Sequence, residues 1–94
     1  MKTLTLAALL FCAIPAQAAD RCADLAAMYH LAHGLRDAGL NDAQIVAQTA
    51  VTFPTLYEFE RIRAVERISS GGDLGYLSAK LVFRHVYLEC KKSA

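Results

Sequence analysis

The sequence is poor in proline, with two in 94 residues, and it holds no internal repeat, no low-complexity tract and no long β-branched run. These absences exclude linkers and repeat arrays. They also argue against a sheet, because apolar residues recur at helical rather than alternating spacing. A charge of one sign is missing too: ten Lys and Arg stand against nine Asp and Glu. That balance offers no electrostatic case for nucleic acid or for an anionic membrane. Catalytic patterns are equally scarce. No serine sits in a G-x-S-x-G elbow, and no two cysteines form C-x-x-C. Gly71-Gly72-Asp73-Leu74-Gly75 precedes a helix but follows no strand and lacks the Lys-Ser/Thr of a phosphate loop, so it is read as a turn.

Residues 1–18 carry the three parts of an export signal. Lys2 supplies the positive start, and Leu4 to Ile14 is an apolar run too short for a bilayer, which takes about 20 residues. Pro15 then breaks the run, and Ala16-Gln17-Ala18 provides the small-x-small site, which places cleavage before Ala19. A lipoprotein reading would lipidate Cys12, but Phe11 stands where a small residue is needed. The expected address is the periplasm of a Gram-negative cell, or secretion. Residues 19–94 are then expected to form a single helical domain with no membrane insertion after cleavage. Removal of Lys2 leaves nine basic and nine acidic residues, and removal of Cys12 leaves two cysteines. An even number in an oxidising compartment predicts a Cys22–Cys90 disulfide.

Four helices can be delimited by their own punctuation. The first is expected from Arg21 to Ala38 with Asp20 as N-cap. Gly39 suits the left-handed position past its end, and Leu35 and Leu40 fall where a Schellman motif places its apolar contact. The second starts at a reciprocal cap between Asn41 and Gln44, with Leu40 and Ile45 as a hydrophobic staple, and ends near Val51 before Phe53-Pro54. The third is expected from a Thr55-x-x-Glu58 capping box, with Leu56, Phe59, Ile62, Val65 and Ile68 as its apolar face. Glu58–Arg61 and Glu60–Arg63 are spaced as i,i+3 ion pairs on the charged face. Ser69-Ser70-Gly71-Gly72 ends it. The fourth is expected from about Asp73 to Lys91, with Leu77, Leu81, Val82, Phe83, Val86, Tyr87 and Leu88 making it apolar over more than half its circumference. Such a helix is either the centre of the core or half-exposed to a partner.

The cysteines test this count. An up-down bundle with an even number of helices brings the start of the first and the end of the last to the same end, as a disulfide requires. The fold class expected is therefore all-α: a small irregular four-helix bundle closed by one disulfide between first and last helices. Closing so long a loop stabilises by about 4 kcal/mol in the chain-entropy model, against a total of about 5 kcal/mol for a domain of this size.

Few residues are arranged for chemistry. Met28, His30 and His33 on the first helix form the one metal-like group, since periplasmic copper carriers use methionine and histidine. At about 100° per residue, His33 lies about 20° from the Cys22 direction and His30 about 80°, while His85 points away from the first helix. The plainer reading is partly exposed histidines beside a core stripe. Glu58, Glu60 and Glu66 could supply a carboxylate pair, but beside arginines they read as solvated ion-pair partners. Arg61, Arg63 and Arg67 form an arginine-rich face that can serve recognition, with a solvated helix face as the plainer alternative. Tyrosine is favoured where a ring is half-buried, so Tyr76 and Tyr87, with Phe83, join the arginines as a candidate interaction surface.

In size, helical class and a single disulfide the chain resembles the small periplasmic acid-stress chaperones. Their cysteines lie in the interior of the chain, whereas Cys22 and Cys90 are terminal, and no motif carries over. The leading functional expectation is a non-enzymatic protein-binding module without cofactor. Its partner would be an envelope enzyme that it caps, in the manner of an inhibitor or immunity protein, a complex it serves as an accessory subunit, or a second copy of itself. The alternatives are a stress chaperone and a metal carrier using Met28, His30 and His33.

Overall fold

The structure, a computed structural model, describes residues 20–93; the expected export signal at residues 1–18 lies outside them. Four helices follow in order: α1 (Arg21–Asp37), α2 (Asp42–Thr52), α3 (Glu58–Ile68) and α4 (Ala79–Ser93). The described residues contain no strand. The protein is an irregular four-helix bundle in which a Cys22–Cys90 disulfide joins the first helix to the last, with the two Cα atoms 5.5 Å apart.

Helix ends follow local chemistry where that chemistry is strong. Gly39 adopts φ 98°, a left-handed conformation that glycine takes at no steric cost. Its N–H donates to the Arg36 carbonyl and the Leu40 N–H to the Leu35 carbonyl, the two bonds of a Schellman motif. Asn41 and Gln44 cap α2 reciprocally, side chain to backbone in both directions, at 2.9 Å each. Asp20 occupies the N-cap position of α1 without making a side-chain bond.

Two starts differ from expectation. Thr55 and Glu58 do not cap α3, which begins three residues later, at Glu58. Glu60 accepts from the Tyr57 N–H at 2.8 Å instead, so a glutamate closes the first turn from inside. The expected start of α4 at Asp73 also fails, because residues 73–78 form turns and the helix opens at Ala79. Ser78 caps it through its Oγ, which accepts from the Leu81 N–H at 3.3 Å.

The core is organised on α1. Ala26, Met28, Tyr29 and Ala32 are buried there among Ile45 of α2, Leu56 of the α2–α3 loop, Ala64, Val65 and Ile68 of α3, and Val82 and Val86 of α4. Helices α2, α3 and α4 each pack on α1, and α2 packs on α3, but α3 and α4 do not pack on each other. The central helix is therefore α1, while α4 is the half-exposed one: it buries only Val82 and Val86 and leaves Leu81 and Leu88 about half exposed.

The apolar face expected for α3 is only partly used. Leu56, Val65 and Ile68 are buried, but Phe59 is 66% exposed and Ile62 45%. A run of apolar residues at i,i+3 drifts by about 60° per step, so these side chains cannot all face one core. The face that is buried runs through Arg61, Ala64, Val65 and Ile68.

The α3–α4 loop folds back on the end of α3. Leu74 donates its N–H to the Arg67 carbonyl at 2.8 Å and plugs the core with its side chain. A Cβ on Gly75 would meet the Ser69 carbonyl oxygen, and one on Gly72 the Glu66 and Arg67 carbonyls, whereas Gly71 faces open space. Gly75→Ala is expected to lower stability by about 1–3 kcal/mol, and Gly71→Ala to stay within about 0.5 kcal/mol of wild type. Urea midpoints of the two variants check this; equal midpoints would contradict the close approach.

Candidate functional site

Because α3 and α4 lean on α1 without close backbone approach to each other, they leave a groove of about 690 Å³ between them. That volume falls within the ordinary range for binding clefts. Leu25 and Tyr29 of α1 lie at its base, Phe59 and Arg63 of α3 along one wall, and Val86 and Cys90 of α4 along the other.

Arg67 spans this groove. Its Nε and Nη2 donate to the two oxygens of Asp73, both at 3.0 Å, and its Nη1 and Nη2 to the two oxygens of Glu89 at 2.8 and 3.2 Å. Nη1 also reaches Tyr29 Oη at 3.5 Å, and the guanidinium carbon lies 5.6 Å from the Tyr29 ring centroid. All five N–H donors of the side chain are thereby used. One residue thus ties α3 to the loop, to α4 and to an aromatic of α1. Lysine, a compact point charge, could not reproduce the two forked contacts.

These contacts set the titration of the groove. Hydrogen bonds from Arg67 hold the Asp73 carboxyl below the usual aspartate range. Arg67 itself is pushed further up, chiefly by the same bonds. Burial pushes the Tyr29 phenol up, with Arg67 opposing it.

The other expected surface residues are distributed rather than gathered. Arg61 is a correction: it is 7% exposed and its Nη2 donates to the Phe53 carbonyl at 3.0 Å and the Leu56 carbonyl at 2.8 Å. It holds the α2–α3 loop and presents no recognition surface. The expected Glu58–Arg61 and Glu60–Arg63 pairs do not form: Arg61 is turned inward to the two carbonyls, and Glu60 instead receives the Arg21 Nη2 at 2.8 Å on both oxygens. Arg63 is left exposed on the groove wall and in no ion pair among the described residues. Tyr76 is 83% exposed in the loop, away from the groove lining. Phe83 and Tyr87 stack with ring centroids 6.3 Å apart on a different side of α4 from Val86.

Met28, His30 and His33 do not converge. Met28 is enclosed in the core. His33 is buried, its Nε2–H donating to the Leu77 carbonyl at 2.8 Å, with Nδ1 3.2 Å from the Asp37 carboxylate. His30 is exposed and sets its ring edge-on to Phe83. No group of three or more His, Cys, Asp or Glu among the described residues is placed to hold a metal ion.

Two aromatic residues were missed as surface. Tyr57 and Phe59 stack at 5.5 Å beside the groove, with Arg21 5.0 Å above the Tyr57 ring. The signal available in the sequence was the i,i+3 drift, which turns Phe59 away from the Ile68 side of the helix.

The sign of the Asp73 effect follows from its depressed value. A carboxyl that is more acidic folded than unfolded contributes stability above its unfolded pKa of about 3.9 and loses it as pH falls through the lower folded value. Asp73→Asn is therefore expected to be less stable than wild type at neutral pH and to show a flatter decline below about pH 4. Urea midpoints from pH 7 to pH 2 check this: the two curves should converge in acid, and parallel curves would refute the Arg67–Asp73 linkage.

Compared with known proteins, the chain matches no family model, no curated protein and no solved structure.

Proposed function

We propose that this is a small exported protein-binding module, acting in the periplasm or outside the cell, whose groove between α3 and α4 receives a segment of a protein partner. The observation that carries the reading is the separation of α3 from α4: two helices held on a common support leave about 690 Å³ open to solvent. Leu25, Tyr29, Phe59 and Val86 provide its apolar lining, and Arg63 a cation with no ion-pair partner among the described residues. Mixed apolar and arginine surfaces of this kind are enriched at protein interfaces. Export is supported by the apolar run before Ala16-Gln17-Ala18 and by the formed Cys22–Cys90 disulfide, since such bonds persist in oxidising compartments. No helix among the described residues is long and apolar enough to cross a membrane. An inhibitor of an envelope enzyme and an accessory subunit are both partners' roles that fit this description.

A photo-crosslinking phenylalanine at position 59 tests it in the cell that makes the protein. A discrete adduct should form with one partner from position 59 and be absent from position 51, an exposed site on α2 outside the groove lining. No adduct at 59, or the same adducts from both positions, would overturn the reading.

A stress chaperone is the second reading, favoured by one observation: Arg67 of α3 is held to the α3–α4 loop and to α4 through the carboxylates of Asp73 and Glu89. Protonating them would release α4 from α3 and widen the groove. The expected result is a reversible loss of the tyrosine near-ultraviolet circular dichroism below about pH 3. A signal that survives at pH 2 would count against it.

A further inference from the structure

The near-neutral composition conceals a separation of charge. Helix α4 carries Lys80, Arg84, Lys91 and Lys92 against the single carboxylate of Glu89, which is already bound by Arg67. Lys80, Arg84 and Lys91 are spaced four and seven residues apart. On a helix they fall within about 40° of one another and span about 16 Å along the axis. All three are exposed, and none is in an ion pair among the described residues. The row is therefore a line of cations that the fold leaves uncompensated.

Apolar groups border that line. On one flank Phe83 and Tyr87 stack with planes 9° apart, Lys91 Nζ lies 5.8 Å from the Tyr87 ring centroid, and His30 of α1 meets the edge of Phe83 at 6.4 Å. Between α1 and α4 the surface dips into a recess of about 350 Å³ lined by Ala27, His30, Lys80 and Phe83. Its walls are almost wholly apolar, with the cation of Lys80 among them. The recess is shallow and open, and it sets apolar surface of Ala27 and Phe83 beside the Lys80 ammonium.

We infer that this outer face of α4 is a second docking surface, distinct from the groove, for an acidic amphipathic segment of a protein partner. The occupant would be a helix with carboxylates spaced to meet Lys80, Arg84 and Lys91 and one leucine- or phenylalanine-sized anchor for the recess. Charge complementarity selects an acidic segment, and the recess selects a polypeptide over a lipid surface, because headgroups present no side chain to fill it. Phe83 and Tyr87 are half-buried against the core, which suits a platform under a docked helix rather than wedges inserted into acyl chains. The inference rests on the protein-binding reading for the class of partner but not on the groove for its location.

The probe is an isotope-free helical peptide with glutamates four and seven positions apart and one leucine on the same face, titrated into the labelled disulfide-bonded protein and followed by amide chemical shifts. Perturbations should centre on His30, Phe83, Arg84 and Tyr87. Affinity should fall at least tenfold in a Lys80→Glu/Arg84→Glu double variant, and likewise when the glutamates of the peptide are replaced by glutamine. An anchor change from leucine to serine in the peptide should weaken binding separately, since it leaves the charges intact. Both substituted positions are exposed, and an unchanged urea midpoint confirms that the variant is folded. Shifts confined to Leu25, Phe59, Arg63 and Val86 would overturn the α4 face while leaving the groove reading in place. Equal binding of the glutamine peptide, tighter binding to anionic phosphatidylglycerol vesicles than to the peptide, or no shift at millimolar peptide would also overturn it. Conversely, a lost crosslink at position 59 with intact α4 shifts would remove the groove and keep this surface.

Discussion

Because α3 and α4 both pack on α1 and not on each other, the burial of α1 is the constraint from which the other features follow. That helix buries Cys22, Ala26, Met28, Tyr29, Ala32 and His33, a face wide enough to serve three neighbours at once. A small domain has little core to distribute, and here it is arranged around one helix on which the other three pack. The consequence is a bundle with an open side: whatever surface α3 and α4 do not bury against α1 lines a groove or faces solvent.

Polar side chains then do the work that direct α3–α4 packing would otherwise do. Arg67 of α3 reaches α4 across the groove through Glu89 and holds the α3–α4 loop through Asp73. Arg61 secures the loop before α3 by donating to two carbonyls, and His33 holds the loop before α4 at the Leu77 carbonyl. Buried polar groups are tolerated when they are bonded and costly when they are not. Arg61 and His33 donate to loop backbone carbonyls, whereas Arg67 donates to side chains alone. The disulfide acts on the remaining seam, tying the first turn of α1 to the last turns of α4. The groove is thus braced by a guanidinium and by a covalent bond, and its walls differ in character from the cationic outer face of α4.

The parts of this arrangement that could be read from the sequence are those governed within a few residues. Gly39 as a left-handed stop and Asn41 with Gln44 as a reciprocal cap are local events, and both form as expected. The Cys22–Cys90 pairing follows from parity, and it supports in turn an even helix count. The starts of α3 and α4 were misplaced because a short-range pattern had a competitor. Glu60 accepts from the Tyr57 N–H in place of the Thr55–Glu58 box, and Asp73, where the fourth helix is expected to start, is held in the loop by Arg67. Of the residues expected at a surface, Arg63, Tyr76, Phe83 and Tyr87 remain at least partly exposed, whereas Arg61 is buried and Arg67 is fully bonded.

What the sequence determined by itself is therefore the helical class, the helix boundaries set by glycine and by side-chain caps, and the bond that closes the chain. The first two depend on backbone conformations and on contacts within one turn, so neighbouring residues are enough to specify them. The bond joins residues 68 positions apart and is specified by there being one cysteine pair in residues 19–94. The tertiary structure decided which face of each helix is buried, which arginines are scaffold, and where apolar surface is left open. Those outcomes depend on which surfaces the fold brings together: Phe59 and Arg61 lie two positions apart on α3, yet Phe59 is exposed while Arg61 is buried and donates to the Phe53 and Leu56 carbonyls. The alignment of Lys80, Arg84 and Lys91 is written in helix α4, but only packing against α1 turns that line outward, where it makes no ion pair among the described residues.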